Sequence, residues 1–515
     1  MRPRRPTVRT VLGLVGLVLA LLGASPAGAP ASARELTVRP SSFGVARVRW
    51  SPAGAAAGPR IGVSAGPGSL GSPGILQSFD AIARAGARWP GDPTGAEGDS
   101  WFLTAANGSY ALYDSNGAPV LGPAPYASLF RLPAGTQSFG ARVIYDQYRR
   151  TFVLAFLAVN TRRRDSWILL VTVPDATASD AATWCGTRIV ADRLAGDGAQ
   201  WADDPALGYD LGRVTLATDM RAFGGSEPLA YAQVLSIPKT GLYDCDRTLT
   251  FDTVTGRGTR NPDGTQAFGL RPAASAGPRP SAQYLVSFEP SASAVVLWRV
   301  RPSGGGLARV ALPVARVRRA PPGTQAGGVS QNARWEPGDL RPVNAFYDSA
   351  RGRVYAAQAV RRDLRPDLVT GHYVESAVRW YEIRPGAGIG GSRVTRVGTV
   401  GEPETDAGWP AVATDAAGDL FVVYSRASAP GGEYLSTWVA LVPPRSTIAR
   451  TTLVAPGEAR FETTPGPEPW GAVASINRDP KDPSRLAIVD QYARADESGS
   501  TRDWQEVVAI VSAAS

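Results

Sequence analysis

The chain of 515 residues contains very little histidine, cysteine, methionine or lysine. It has one His, two Cys and two Met, and only two of its 54 basic residues are Lys. A single histidine excludes zinc sites built on two or three histidines, and two cysteines exclude four-cysteine zinc sites and iron–sulfur clusters. A nucleophile triad that depends on histidine would have to use His372. Most familiar hydrolase chemistry is therefore excluded or depends on one residue.

The first 33 residues have the pattern of a secretory signal peptide. Residues 2–9 contain four arginines, residues 11–22 are apolar, and Ala31-Ser32-Ala33 offers a small-residue cleavage site. The apolar stretch is shorter than the ~20 residues that a membrane-spanning helix requires, and no later segment is long and apolar enough. The sequence predicts a secreted, extracellular protein that is cleaved near Ala33 and has no membrane span after cleavage.

Basic residues are more numerous than acidic residues, but they are not organised as a nucleic-acid interface. The formal net charge is +9. The basic clusters at 162–164 and 316–319 are short and are not interleaved with aromatic residues, which is typical of solvated loops. We expect no nucleic-acid partner.

The two cysteines, Cys185 and Cys245, are predicted to form one disulfide bond, because the chain is expected to reach an oxidising compartment. The alternative is a catalytic thiol. No histidine lies near either cysteine in the sequence, which disfavours that alternative.

Hydrophobic patterning predicts an all-β fold. Residues 34–74 are predicted to form an N-terminal strand segment followed by a linker rich in Gly, Ala and Pro, and residues 75–515 are predicted to form the main domain. In that domain, short alternating apolar runs are separated by turn residues. The one helical pattern is a single turn at 79–84.

A unit of two alternating runs joined by an acidic turn recurs along the main domain. We predict a β-hairpin in which the acid accepts hydrogen bonds from turn N–H groups. The copies contain Asp114, Asp146, Asp210, Asp348, Asp415 and Asp479, with a weaker copy at Glu289. Most intervals are near 60 residues, which suits the four-stranded antiparallel blades of a β-propeller with long loops. The length predicts seven blades, with six or eight as alternatives.

The segments that precede these hairpins are candidates for a ligand site. In a propeller, the first strand of each blade lines the central channel, so residues at its start converge on one rim. The candidate ligand-binding residues are Asp92, Arg142, Trp201, Asp203, Asp204, Asn344, Trp409 and Trp470.

The order of these segments resembles a family of secreted bacterial β-propellers of uncharacterised function, distantly related to sialidase-like propellers of the BNR type. The similarity rests on GDPTGAEG, SFGARVIYD, WADDPALGYDLGRV, AGWPAVATDAAGDLFVVYS and PWGAVASINRDP, in this order. It implies the fold and leaves the activity open. Relatives tend to carry Arg-Trp-Gly-Asp-Tyr-Ser where this chain has PWGAVAS at 469–475, so an acid and a phenol are missing.

The adjacent carboxylates of Asp203 and Asp204 are the strongest local candidate for a catalytic pair. They could act as general acid and base while Trp201 stacks on a sugar face. Neighbouring residues of a strand point to opposite faces unless the backbone bulges. The alternative is therefore that one Asp caps a turn before Pro205 and the other is solvated.

The remaining candidates point to no metal and no cofactor. His372 is predicted in a hairpin loop, where no neighbouring residue is clearly marked as its acidic partner, and no calcium loop of 12 residues is present. A sialidase mechanism needs a tyrosine nucleophile and three arginines, but no spacing marks such a set.

Two functions remain open. The first is a monomeric, non-catalytic extracellular propeller that binds a glycan or another cell-surface polymer at the channel rim. The second is a secreted, sialidase-like glycoside hydrolase or lyase that uses rim carboxylates such as Asp204 or Asp92 with Arg142.

Overall fold

A computed structural model describes most of the chain after residue 70. The described residues are 34–38, 71–84, 90–195, 198–224, 229–244, 249–278, 280, 282–302, 306–327, 334–363, 374–462, 467, 469–495 and 503–513. The predicted signal peptide, its cleavage site, Cys245 and His372 lie outside these residues.

Almost all regular structure in the described residues is β-strand. The first strands are β1 Arg34–Val38, β2 Pro73–Ala83, β3 Thr94–Glu97, β4 Trp101–Ala106, β5 Ser109–Asp114, β6 Pro119–Pro125, β7 Gln137–Asp146, β8 Thr151–Asn160, β9 Asp165–Pro174 and β10 Cys185–Val190. They are followed by β11 Gln200–Tyr209, β12 Arg213–Ala222, β13 Leu229–Pro238, β14 Leu249–Val254, β15 Arg271–Ala276, β16 Tyr284–Phe288, β17 Ala294–Val300, β18 Leu307–Pro313, β19 Gly323–Thr324 and β20 Arg334–Trp335. The last are β21 Ala345–Asp348, β22 Arg353–Asp363, β23 Val374–Arg384, β24 Arg393–Val400, β25 Asp406–Thr414, β26 Leu420–Ser428, β27 Glu433–Val442, β28 Arg450–Ala455, β29 Ser475–Arg478, β30 Arg485–Arg494 and β31 Asp503–Ala513.

Helical structure is limited to short turns. The described residues contain one α-helical turn, α1 Lys239–Leu242, and 3₁₀ turns at Tyr126–Ser128, Asp175–Thr177, Ala181–Thr183, Ala191–Arg193, Gly256–Thr259 and Ile389–Gly391. The predicted all-β class is confirmed.

Consecutive strands pair antiparallel in sets of four, which we number in chain order. Set 1 is β3–β6, set 2 is β7–β10, set 3 is β11–β14, set 4 is β15–β18, set 5 is β21–β24, set 6 is β25–β28, and set 7 is β29–β31 together with β2. The first strands β11, β15 and β21 also pair in parallel, which links sets 3, 4 and 5. The predicted four-stranded antiparallel sheets are therefore present.

The N-terminal part differs from the prediction at two points. The predicted helical turn at 79–84 is wrong, because Pro73–Ala83 is a strand that lies antiparallel to β31, with Pro73 opposite Ala513. This strand also begins before residue 75. The segment Arg34–Val38 pairs with β14 of set 3. Strand partners distant in sequence thus decide the structure of both segments.

The acidic turns follow the prediction in detail. In all six aspartate copies, a carboxylate oxygen accepts hydrogen bonds from turn N–H groups at 2.7–3.3 Å. Glu289 differs, because its carboxylate accepts from the Ser291 hydroxyl. Asp114 lies on the third strand of set 1, whereas the other five aspartates end the first strands of their sets or come directly after them. The short interval before Asp146 results from this difference in position.

The first strands of the sets contact one another in order. β3 contacts β7, and the contacts continue through β11, β15, β21, β25 and β29, which in turn contacts β3. A hydrogen bond of 2.9 Å between the hydroxyl groups of Thr94 and Ser475 links β3 to β29. Six of these strands line a cavity of about 790 Å³, counted with its opening to solvent.

Two carboxyl groups are buried in set 7. Glu506 accepts the Ile82 N–H at 3.0 Å, and Asp490 contacts the Ser425 hydroxyl at 3.4 Å. Burial raises the pKa of each carboxyl to about 8. Both groups therefore hold a proton in the folded protein at pH values at which they would be ionised in the unfolded chain.

The folded protein should lose stability as pH rises from about 4 to 8. Between the unfolded pKa near 4 and the folded pKa of about 8, the folded state binds more protons, so the free energy of unfolding falls by up to about 1.4 kcal/mol per carboxyl and pH unit. Urea denaturation at several pH values measures this slope. Glu506→Gln should reduce it, whereas Ser512→Ala on the same strand should leave it unchanged. An equal slope in Glu506→Gln and wild type would contradict the assignment.

Candidate functional site

Each first strand is preceded or interrupted near its start by a residue in the left-handed conformation. These residues are Asp92, Gly140, Asp204, Gly269, Leu340, Trp409 and Gly471, with φ between +47° and +144°. At three of them, the strand register shifts between residues 139 and 142, 203 and 206, and 408 and 411. Such bulges redirect side chains. They decide which of the predicted site residues meet.

Three arginines surround the Asp204 carboxylate: Arg142 on β7, Arg271 on β15 and Arg341 in the segment before β21. Arg271 donates through Nη2 to both oxygens, at 3.0 and 2.7 Å. Arg341 donates through Nη1 at 2.7 Å, and Arg142 through Nη2 at 3.3 Å. We call these four residues the Asp204 cluster. It joins the starts of four consecutive first strands, from set 2 to set 5.

Local contacts orient the arginines of the Asp204 cluster. Arg271 also donates to the Pro342 carbonyl at 2.7 Å, and Arg341 donates to both oxygens of Asp339 at 2.8 Å. Gly269 has φ +57°, and a Cβ there would lie 2.7 Å from the Arg341 side chain. A residue without a side chain is therefore needed for Arg341 to reach the cluster.

The cluster holds Asp204 in its ionised form. Burial raises the pKa of Asp204, but the charges of Arg271, Arg341 and Arg142 outweigh burial and lower it. Burial also lowers the pKa of Arg142, to about 10. The side chains of Arg142 and Asp204 are each 9% exposed, so Asp204 is a nearly buried carboxylate whose charge is more than balanced by the three arginines.

Two further carboxyl groups next to the cluster are shifted in the opposite direction. Burial raises the pKa of Asp92, although its oxygen accepts the Ala472 N–H at 2.6 Å and Arg142 lies nearby. Burial, assisted by the charge of Asp204, raises the pKa of Asp219 to about 7. Asp219 accepts the Gly269 N–H at 3.1 Å. Carboxyl groups with raised and with lowered pKa values thus lie side by side.

Asp203 takes no part in the Asp204 cluster. Its carboxylate pairs with Arg221 at 2.6 Å, and both side chains are partly exposed. The bulge after Asp203 and the left-handed Asp204 separate the two carboxylates. The sequence offered two alternatives: an acid–base pair, or one turn-capping and one solvated aspartate. The structure shows neither, because each aspartate has its own arginine partner.

Trp201 remains accessible beside this ion pair. It is partly exposed, and its ring meets that of Phe139 edge-on at 5.8 Å. We call Phe139, Trp201, Asp203 and Arg221 the aromatic platform.

Three other predicted rim residues make hydrogen bonds to other parts of the fold. Trp470 is 1% exposed and donates to the Ser425 hydroxyl at 2.9 Å. Trp409 is buried and donates to the Glu336 carbonyl at 2.6 Å. Asn344 makes two hydrogen bonds with the backbone of Val412, at 2.9 and 2.8 Å. The expectation that Trp409 and Trp470 offer faces to a ligand is corrected by their burial.

The structure therefore brings Asp92, Arg142 and Asp204 together and leaves Trp201 and Asp203 on a separate platform. Sequence reasoning missed Arg271 and Arg341. One signal was available, because both lie in the tripeptide Leu-Arg-Pro at the start of a first strand. The same tripeptide at 364–366 lies outside the described residues, so the signal was not specific.

The described residues hold no group of three or more His, Cys, Asp and Glu side chains arranged to bind a metal ion. Cys185 is buried, and its predicted partner Cys245 lies outside the described residues, so their disulfide stays a prediction. Among the described helices, none has the length and apolar character to cross a membrane.

Comparison with known proteins identifies no family. No protein-family model and no curated protein sequence match the chain. Among solved structures, a protein of unknown function from Dyadobacter fermentans is similar over 74% of this chain and 100% of its own, with 11% identity and a TM-score of 0.40.

Two solved glycoside-processing enzymes are similar at the same level. The GH93 α-L-arabinofuranosidase of Fusarium graminearum is matched over 84% of this chain and 98% of its own, with 10% identity and a TM-score of 0.35. A mutant Trypanosoma rangeli sialidase that displays trans-sialidase activity is matched over 83% of this chain and 60% of its own, with 10% identity and a TM-score of 0.36. At these values the similarities carry no argument about activity.

Substitution of Asp204 and substitution of the adjacent Asp203 should lower the free energy of unfolding by different amounts. Asp204→Asn leaves the nearly buried guanidinium groups of Arg142 and Arg271 without their carboxylate, while Arg341 keeps Asp339, so we expect a loss of about 3–5 kcal/mol in the free energy of unfolding. Asp203→Asn breaks only a partly exposed ion pair and should cost about 0–1 kcal/mol. Asparagine tolerates the left-handed conformation of Asp204. Denaturant unfolding measures both, and equal losses would contradict the arrangement.

Proposed function

We propose that the chain forms a seven-bladed β-propeller, with each four-strand set as one blade. The ordered contacts between first strands, including the contact of β29 with β3, support this arrangement. The pairing of β2 with β31 would close the ring by combining strands from the two ends of residues 73–513 in one blade. The cavity lined by first strands would then be the central channel.

We further infer that the protein is exported, is cleaved near Ala33 and acts outside the cell as a monomer. In this proposal, residues 75–515 form the propeller domain and Cys185 forms its disulfide bond with Cys245. The signal-like pattern of residues 1–33 supports export.

We infer that the protein binds a glycan or another cell-surface polymer at the aromatic platform. The observation that carries this inference is the accessible ring of Trp201 beside the partly exposed ion pair of Asp203 and Arg221. An aromatic face packs against the apolar face of a sugar, and charged groups at its edge can hydrogen-bond the hydroxyl groups. The platform offers both kinds of contact within one surface.

The Asp204 cluster favours binding over catalysis. Its carboxylate already accepts hydrogen bonds from three guanidinium groups, and these lower its pKa. A carboxylate stabilised in this way is a weak base and a weak nucleophile. The cluster therefore serves to position the strands around the platform.

A glycoside hydrolase remains the second candidate because of Asp92. Burial raises the pKa of Asp92 next to Asp204, which is held ionised. Neighbouring carboxyl groups with pKa values displaced in opposite directions are the arrangement that general acid and base residues use. Asp92 would be the acid.

Trp201→Ala should weaken glycan binding about tenfold or more, because the lost stacking and burial contribute about 1.5 kcal/mol or more. A glycan array with the purified mature protein identifies the ligand, and titration calorimetry measures the change. Trp101→Ala, a partly exposed tryptophan beside the turn of the first hairpin of set 1, is the control and should bind normally. Normal binding by Trp201→Ala would overturn the platform assignment.

A screen of chromogenic glycosides tests the second candidate. We expect no hydrolysis by the wild-type protein if the platform only binds. Hydrolysis that is lost in Asp92→Asn and retained in Asp203→Asn would instead establish Asp92 as a catalytic acid and would overturn the binding-only proposal.

A further inference from the structure

A lysine and an aspartate from neighbouring sets meet in the interior, away from the platform and the Asp204 cluster. Lys239 begins α1 after β13 of set 3, and Asp146 ends β7 of set 2. Their side chains are 1% and 0% exposed, and Nζ lies 2.6 Å from Oδ2. The two residues are about 90 positions apart in the sequence.

This contact does not have the geometry of a hydrogen bond. Among the described residues, the Lys239 amine has no hydrogen-bond partner of normal geometry. The Asp146 oxygens accept hydrogen bonds from other groups: Oδ1 from the Tyr148 N–H at 3.1 Å and Oδ2 from the Tyr243 hydroxyl at 2.8 Å. The amine thus approaches a carboxyl group whose oxygens are already held in place.

The amine is surrounded by buried groups and aromatic rings. The rings of Tyr148 and Tyr209 lie 5.2 and 5.1 Å from Nζ, a distance at which they attract the charged ammonium form. Burial lowers the pKa of Lys239 against the attraction of Asp146, which raises the fraction of neutral, nucleophilic amine. A dry site also favours a condensation that releases water.

The choice of lysine is itself informative. Of 54 basic residues only two are lysines, and other buried cations, such as Arg142 and Arg271, are arginines. A primary amine can form an amide with a carboxyl group, whereas arginine in proteins stays a protonated guanidinium ion. Lysine occurs here at a position where that difference matters.

We propose that Lys239 and Asp146 are joined by an intramolecular amide bond between Nζ and Cγ. A proton passes from Nζ to Oδ2, which gives a neutral amine and a carboxylic acid, and the amine then attacks Cγ. A second proton passes from Nζ to the same oxygen, the Cγ–Oδ2 bond breaks, and one water molecule leaves. The Tyr243 hydroxyl donates to the departing oxygen, and no oxidant or cofactor is required.

Such a bond would tie set 2 to set 3 and close a long loop of the chain. By the argument used for disulfides, a cross-link between distant residues restricts the unfolded chain and so stabilises the folded one. This inference does not depend on the ligand or on the proposed function.

Intact mass measured on the full-length, reduced and denatured protein tests the proposal. The mass should be lower than that of the sequence, for the N-terminus observed, by one water molecule. Tandem mass spectrometry of a tryptic digest should show a branched peptide that joins residues 143–149 to the segment containing Lys239. A folded protein with the unmodified mass would overturn the proposal.

Three variants assign the loss of mass. Lys239→Arg should keep the full sequence mass, and Lys481→Arg should still lose one water. Asp146→Asn can form the same bond with loss of ammonia, so it should reach the mass of the cross-linked wild type. Loss of water that persists in Lys239→Arg would overturn the assignment, because cyclisation at an Asp-Gly sequence, such as Asp197-Gly198 or Asp263-Gly264, would then account for it.

Discussion

The arrangement of the molecule around its cavity depends on the neutralisation of one nearly buried carboxylate by three arginines. Asp204 can be ionised at 9% exposure only because Arg142, Arg271 and Arg341 surround it. Arg142 and Arg271 lie on first strands and Arg341 lies four residues before one, so the cluster links the starts of four first strands. Removal of Asp204 would leave an excess of positive charge in a nearly dry environment. Electrostatics thus sets the geometry of the rim on which any ligand surface depends.

Aspartate has two separate uses in this fold. At the end of the first strands, it accepts hydrogen bonds from turn N–H groups, a local contact within four residues of the chain. At their start, left-handed backbone and bulges direct Asp92 and Asp204 toward neighbouring sets. The same residue type therefore stabilises hairpins at one end of the strands and joins sets at the other.

Burial determines which tryptophans near the strand starts can contact a ligand. Trp470 and Trp409 donate their indole N–H groups to partners inside the fold, where their rings fill space between sets. Trp201 differs because it is partly exposed, with Phe139 edge-on to its ring. Composition could not separate these cases, since all three stand near the start of a first strand.

The sequence by itself determined the strand class and the acidic turns, because both depend on contacts between residues a few positions apart. It also marked Asp92, Arg142 and Asp204 as residues near strand starts. Only the tertiary structure decided that these three meet, that Arg271 and Arg341 join Asp204, and that Asp203 faces elsewhere. Those outcomes depend on the φ angle of single residues and on partners some 60 to 140 positions away. The scarcity of lysine acquired a meaning in the same way, once Lys239 was found beside Asp146.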